Sequence, residues 1–148
     1  MSYTRFFYHL ILRTKAGRRT LDLEHSEIPY AYLATVAKEK GAFVHLINGM
    51  EEHVHPGIEL PPTMAFSDFV RDFKSAGSLG LKGRECFREF EGRGRSHAAF
   101  SCRADDFQGV LNYIASQRKH HQKQSFADEI KMIAERMGVN FDERDLAD

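Results

Sequence analysis

The stretch Asn48–Pro62, "NGMEEHVHPGIELPP", puts two histidines, His53 and His55, on either side of a single valine, Val54. Read with the preceding "AFVHLING", the segment "HVHPGIEL" predicts the second arm of a β-hairpin turned at residues 49–52. Side chains alternate faces along a strand, so His53 and His55 point to one side and Val54 to the other. Two adjacent imidazoles repel when both are protonated. They suit a cation held between them, because neutral imidazole is the commonest metal ligand. The plainer reading is two surface or half-buried strand histidines, and a His-x-His by itself does not exclude it. Pro56 cannot donate to a ladder and Gly57 weakens one, so a bulge or an open side is expected there.

Around this hairpin the chain alternates between the two periodicities. "FFYHLIL", Phe6 to Leu12, reads as a strand, and the polar "RTKAGRRTLDLEHS" as a loop. "SEIPYAYLATVAKEKG" reads as a helix capped by Ser26, with Pro29 early and Gly41 at its stop. "PPTMAFSDFVRDFKSAGSLG" predicts a second helix, capped by Thr63 or Ser67, with Phe66, Phe69, Val70 and Phe73 on one stripe. "LKGRECFREFEGRGRS" reads as a loop with room for one short strand, and "HAAFSCR" as the fourth strand. A helix follows over "ADDFQGVLNYIASQRKHHQKQ", with Asp105 and Asp106 in its first turn and bases near its end, as the macrodipole favours. A last helix, "SFADEIKMIAERMG", starts on a capping box of Ser125 and Asp128 and stops at Gly138. The order β-α-β-β-α-β predicts an α+β, ferredoxin-like (split βαβ) antiparallel sheet with two helices on one face. Its other face is left for a site, and residues 121–148 form a C-terminal helical extension of a single domain spanning 1–148.

The chain has 148 residues, 42% hydrophobic and 28% charged, which fits one globular domain. No run approaches the roughly 18 apolar residues of a membrane span. The start, with Arg5 early and His9 inside a short apolar run, does not read as a signal peptide. Cys86 and Cys102 match no zinc spacing and read as reduced thiols, which predicts a cytoplasmic protein. Net charge is zero, but the tail from Phe141 holds four acids and one base, leaving 20 of 21 bases and 17 of 21 acids before it. Residues 71–103 hold eight bases against four acids. Such a band can bind phosphate, although taken alone it is more often a solvated face. Arg71, Lys74, Arg84 and Arg88 are its candidate DNA contacts.

Tyr113 and Gln117 lie four apart, so they share one face of a continuous helix. A tyrosine hydroxyl can serve as a covalent nucleophile when the group it attacks is made electrophilic. A divalent metal does that to a phosphate. Gln117 offers a neutral oxygen as a third ligand beside two imidazoles. Taken alone, Tyr113 is more often a core or boundary tyrosine.

"EEHVH", "FVRDFKS" and "VLNYIASQRKHHQKQSF", in this order, resemble the single-tyrosine HUH transposases, the IS-two-hundred-like and REP-associated group. "YHLILRTKAGR" is similar to that family's first strand, and the resemblance covers nearly the whole chain. It implies a DNA transposase that cuts and rejoins single-stranded or hairpin DNA through a 5′-phosphotyrosine link. Tyr113 would be the nucleophile, and His53, His55 and Gln117 would be the ligands of Mg²⁺ or Mn²⁺. It also implies a homodimer, commonly with the tyrosine helix of one subunit completing the histidine pair of the other. Two readings from other classes stay open. One is a domesticated, non-cleaving nucleic-acid-binding module on the same fold. The other is a metal enzyme acting on small phosphoesters, which gives no reason for the tyrosine or the basic band.

Overall fold

A computed structural model describes residues 2–146. Phe6–Thr14 forms β1, Glu27–Glu39 α1, Phe43–Met50 β2, His53–Leu60 β3 and Phe66–Leu81 α2. Arg93–Cys102 forms β4, followed by α3 (Ala104–Ala115), α4 (Gln117–His120) and α5 (Phe126–Arg136). The strands pair in the order β2-β3-β1-β4, each pair antiparallel. This is the split βαβ arrangement expected from the sequence, with the histidine strand in the interior of the sheet.

Strand alternation sorts the side chains into two layers. Leu10, Leu12, Val54, Ile58 and Leu60 face one way and bury against Leu33 and Val36 of α1 and Phe69, Val70 and Phe73 of α2. Phe7, His9, Ile11, His53 and His55 belong to the other face, which α3, α4 and α5 cover. The sheet is therefore a middle layer with helices on both sides.

Several boundaries differ from the sequence reading, each for a local reason. β4 begins at Arg93, four residues ahead of the expected start at His97, because the ladder with β1 continues to Thr14 opposite Arg93 across an irregularity. The bulge expected near Pro56 and Gly57 occurs opposite them: β2 carries an extra residue between Val44 and Leu46. Ser26 makes no side-chain cap and instead accepts a hydrogen bond from Arg118 Nη2 at 2.9 Å. Neither Thr63 nor Ser67 caps α2, whose N-cap position is Ala65. The Ser125 cap does form, accepting from the Asp128 N–H at 3.2 Å, and Gly138, at φ +71°, follows the end of α5.

The most consequential difference lies between Tyr113 and Gln117. The expected single helix is broken at Ser116 (φ −95°, ψ 9°) into α3 and α4. Asn48 Nδ2 donates to the carbonyls of Ile114 and Ala115 at 3.1 and 3.2 Å. The Ser116 hydroxyl donates back to the Asn112 carbonyl at 3.1 Å, a bond that bends helices. A side chain of the β2 edge thus holds the end of the tyrosine helix.

Candidate active site

Gly57 sets how closely α3 lies on the sheet. A Cβ there would stand 2.9 Å from Leu111 Cδ2 and 3.1 Å from Ile114 Cδ1, so only a residue without a side chain admits the helix at this depth. Tyr113 is carried in beside them over His9 and His55, with ring centroids 5.9 and 6.2 Å away. The His120 ring stacks on the tyrosine from the other side at 4.7 Å.

His53 and His55 are wholly buried on the same face, as alternation requires. Each uses Nδ1 for a supporting partner and turns Nε2 toward a common centre. His53 Nδ1 donates to Glu52 Oε1 at 2.9 Å, and its Nε2 lies 3.3 Å from Gln117 Oε1. His55 Nδ1 lies 2.8 Å from His9 Nε2, and its Nε2 lies 3.1 Å from Glu129 Oε1. Imidazoles that ligate metals show this pattern, with the second nitrogen held by a carboxylate or another polar group. His9 is neutral imidazole, so it can sit at either end of its bond to His55 and follow a change in that ring's tautomer.

The C-terminal extension completes the cluster. Glu129 of α5 accepts from Gln117 Nε2 at 2.7 Å and from His121 Nε2 at 2.9 Å, and the Tyr113 hydroxyl also donates to it. One ligand atom from each of His53, His55, His121 and Glu129 lies within 4.8 Å of the others. These donors come from β3, the turn after α4, and α5 of one chain. The tyrosine stands beside the histidine pair of its own subunit.

Electrostatics follow from this burial. Desolvation lowers His55 to about 4, against the opposing pull of Glu129. Desolvation and the neighbouring His55 lower His9 to about 3. Burial also lowers His53, but the carboxylates of Glu129 and Glu52 on its two nitrogens outweigh it, and the net shift is upward. Burial would raise Glu129, yet hydrogen bonds from His121, His53 and His55 hold it ionised, well below the usual carboxylate range. Burial and the bond to Glu129 push the Tyr113 phenol up. The donor set of imidazoles, an ionised carboxylate and an amide oxygen fits a divalent cation.

The residues matched by the family model described as "Transposase IS200 like" run from 2 to 117. The chain belongs to this family. The match ends at Gln117, so His121 and Glu129 lie beyond it. Two solved structures share the fold. A candidate transposase from Deinococcus radiodurans R1 is 21% identical, with a TM-score of 0.61 over 78% of this chain and 93% of that one. A REP-associated tyrosine transposase bound to a REP hairpin is 16% identical, with a TM-score of 0.55 over 78% of this chain and 68% of that one. No curated protein matches the chain.

The IS200-like chain brings Tyr113, His53, His55 and Gln117 together, as the resemblance implied. Sequence reasoning missed His9, His121 and Glu129. The "HH" at 120–121 was visible, but only the break at Ser116 decides which ring turns inward. Glu129 carried no signal beyond an acid in the first turn of α5. The four basic candidates do not gather at this site. Lys74 is buried, and its ammonium donates to the carbonyls of Arg95 and Ser96 at 2.6 and 3.2 Å, tying α2 to β4. Arg71 lies on α2, across the sheet from the histidines, paired with Asp68 and Asp72. Arg84 donates to the Gly80 carbonyl at 2.7 Å, and Arg88 pairs with Glu85 at 3.4 Å, both exposed. No helix among the described residues is long and apolar enough to cross a membrane.

Proposed function

We propose that this transposase cuts and rejoins single-stranded or hairpin DNA, with Tyr113 as nucleophile and His53, His55 and Gln117 as ligands of Mg²⁺ or Mn²⁺. The observation that carries the reading is Glu129, one carboxylate that touches the Tyr113 hydroxyl, His55, His121 and Gln117 together. When bound, a divalent ion supplies Lewis-acid polarisation of the scissile phosphate. The Tyr113 oxygen attacks phosphorus, the phenolic proton passes to Glu129, and a tyrosine–phosphate bond forms. The bond from phosphorus to the 3′ oxygen breaks, and that oxygen takes up a proton as a free hydroxyl. Rejoining is the reverse, with the hydroxyl attacking and the phenol leaving. The raised Tyr113 makes such an acceptor necessary, since the phenol does not ionise by itself near neutral pH. Exposed Arg118 and Lys119 on α4 flank Gln117 and suit the flanking phosphates.

Complete burial of His53, His55, Gln117 and Glu129 favours a second reading. A closed donor set is the mark of a structural metal centre, and a non-cleaving DNA-binding module would keep it so. Under the first reading Glu129 must release His55 and His121 for a phosphate to enter while it keeps the Tyr113 hydroxyl, and losing those bonds restores its basicity. Incubation with single-stranded DNA and Mn²⁺ separates the two. The transposase reading expects a covalent protein–DNA adduct that a chelator abolishes. DNA and metal binding with neither adduct nor cut strands would establish the module instead.

A further inference from the structure

His120 is a ring of the site that the chemistry above does not use. It lies outside the donor cluster of His53, His55, His121 and Glu129. Half-buried at the end of α4, it lies flat on the Tyr113 ring, 4.7 Å away and inclined by 26°. His9 and His55 meet the same ring edge-on from the sheet, each at 66°. The phenol is therefore gripped between β-sheet and α4. Helical spacing alone would not give this contact. In a continuous helix seven residues rise about 10.5 Å, which would set rings at 113 and 120 two turns apart. Across the break at Ser116 they stand at stacking distance.

We propose that His120 is a positioning residue, whose stack on Tyr113 keeps the phenol oxygen aimed at phosphorus through both cutting and rejoining; the inference rests on the cutting reading above. Rotation of a tyrosine about its own ring axis leaves the oxygen in place, but a change of χ1 well sweeps it away. The bond from the hydroxyl to Glu129 holds that oxygen only while it carries its proton. Once the proton has passed and phosphorus is bound, the oxygen no longer donates. The stack does not depend on that proton, so it still holds the ring when the phosphotyrosine is presented to the 3′ hydroxyl. Attack needs the reacting atoms close and aligned, and a displacement on the order of 1 Å is costly. A stacked aromatic pair supplies up to about tenfold in favour of one orientation. The role belongs to the face of the ring, so another flat ring at position 120 would fill it.

The test uses the full chain with single-stranded DNA and Mn²⁺ under single-turnover conditions. Cutting is read as the rate of adduct formation at several DNA concentrations. Rejoining is read by adding a strand with a free 3′ hydroxyl to the isolated adduct. His120→Ala removes the ring, whereas His120→Phe and His120→Trp each keep one. His120→Ala is expected to slow cutting and rejoining about tenfold, with the half-saturating DNA concentration and the Mn²⁺ titration unchanged. At least one of the two ring variants should recover most of both rates. A purely structural role would lower the yield of folded protein and leave the rate per folded molecule alone. Wild-type rates in His120→Ala overturn the proposal and leave the cutting reading standing. Losses in both ring variants equal to that in His120→Ala assign the role to the imidazole nitrogens and overturn it as well. A wild type that forms no adduct overturns the cutting reading, and this inference falls with it.

Discussion

At the scale of single residues, chemistry concentrates on one hydroxyl and a few imidazoles. Tyr113→Phe removes one oxygen from a half-buried ring whose packing on His120 and His9 stays. It should cost about 1.5–3 kcal/mol of stability, the range for a hydrogen bond to a charged group. It should also abolish the DNA adduct and strand cleavage while DNA binding persists in a filter assay. An adduct that survives would make another tyrosine the nucleophile. His9 supports His55 from behind, so His9→Leu should weaken Mn²⁺ binding about 10- to 100-fold by calorimetry. His9→Gln, which can still donate or accept, should restore most of it. The same histidines give metal-free protein a pH signature. The folded chain holds His55 at about 4 and His9 at about 3, whereas an unfolded histidine titrates at about 6.5. Below about pH 6.5 the unfolded chain takes up protons that these rings refuse, so stability falls from there toward pH 4. His53 runs the other way: its raised value gives stability below about pH 6.5 that fades as pH rises through its folded pKa. Denaturation midpoints in chelator should therefore peak near pH 6.5, and His9→Gln should shallow the acid limb. A flat acid limb in the wild type would show that these rings charge without unfolding. Alternation alone made the shared face of His53 and His55 legible. It could not show that both are buried, because burial depends on α5, which lies 71 or more residues further along the chain.

At the scale of elements, the site is a matter of how α3 meets β3. Tyr113 and Gln117 were legible as a pair, but a continuous helix was the wrong geometry for them. Ser116 is an ordinary helix residue in a sequence, and the bonds that break the helix there come from Asn48, on a different element. Helix caps failed for the same reason. Ser26 had the right side chain and was engaged by Arg118 across the molecule. The Ser125 cap, whose partner is three residues away, formed as read. Gly57, expected to weaken a ladder, is instead the floor on which α3 rests. Gly57→Ala puts a methyl into Leu111 and Ile114 and should destabilise the fold by about 1–3 kcal/mol, the usual cost of overpacking. Because the same contacts set the depth of Tyr113, cleavage should fall further than the loss of folded protein explains. The comparison is adduct yield per folded molecule at a temperature well below the variant's Tm. An unchanged yield would separate the depth of α3 from the chemistry.

At the scale of the whole molecule, the question is whether one chain suffices. The β-α-β-β-α-β order was readable because each element has its own hydrophobic period, and the one short connection, between β2 and β3, fixes their pairing. The layer formed by α5 was not, since an amphipathic helix does not say which open face it covers. Here it covers the site, with Ile130 and Ile133 packed around Ile11 and Glu129 turned into the donor cluster. All the groups that the proposed reaction needs therefore meet within one subunit, whereas the family resemblance implied a tyrosine supplied by a partner. A mixing experiment decides between the two arrangements. His53→Asn removes a proposed metal ligand from the sheet and leaves the tyrosine helix whole; because that imidazole is fully buried, the variant should first be shown to fold by its Tm. Tyr113→Phe removes the proposed nucleophile and leaves the proposed sheet ligands whole. If each chain uses its own tyrosine, combining the two inactive proteins should give no adduct at any ratio, even after unfolding and refolding them together. Mixed dimers that exchange their tyrosine helices would instead pair an intact helix with an intact sheet in half of their sites. Recovery of adduct on mixing would then show that α3 and α4 change partners, and that the arrangement within one chain is a resting form.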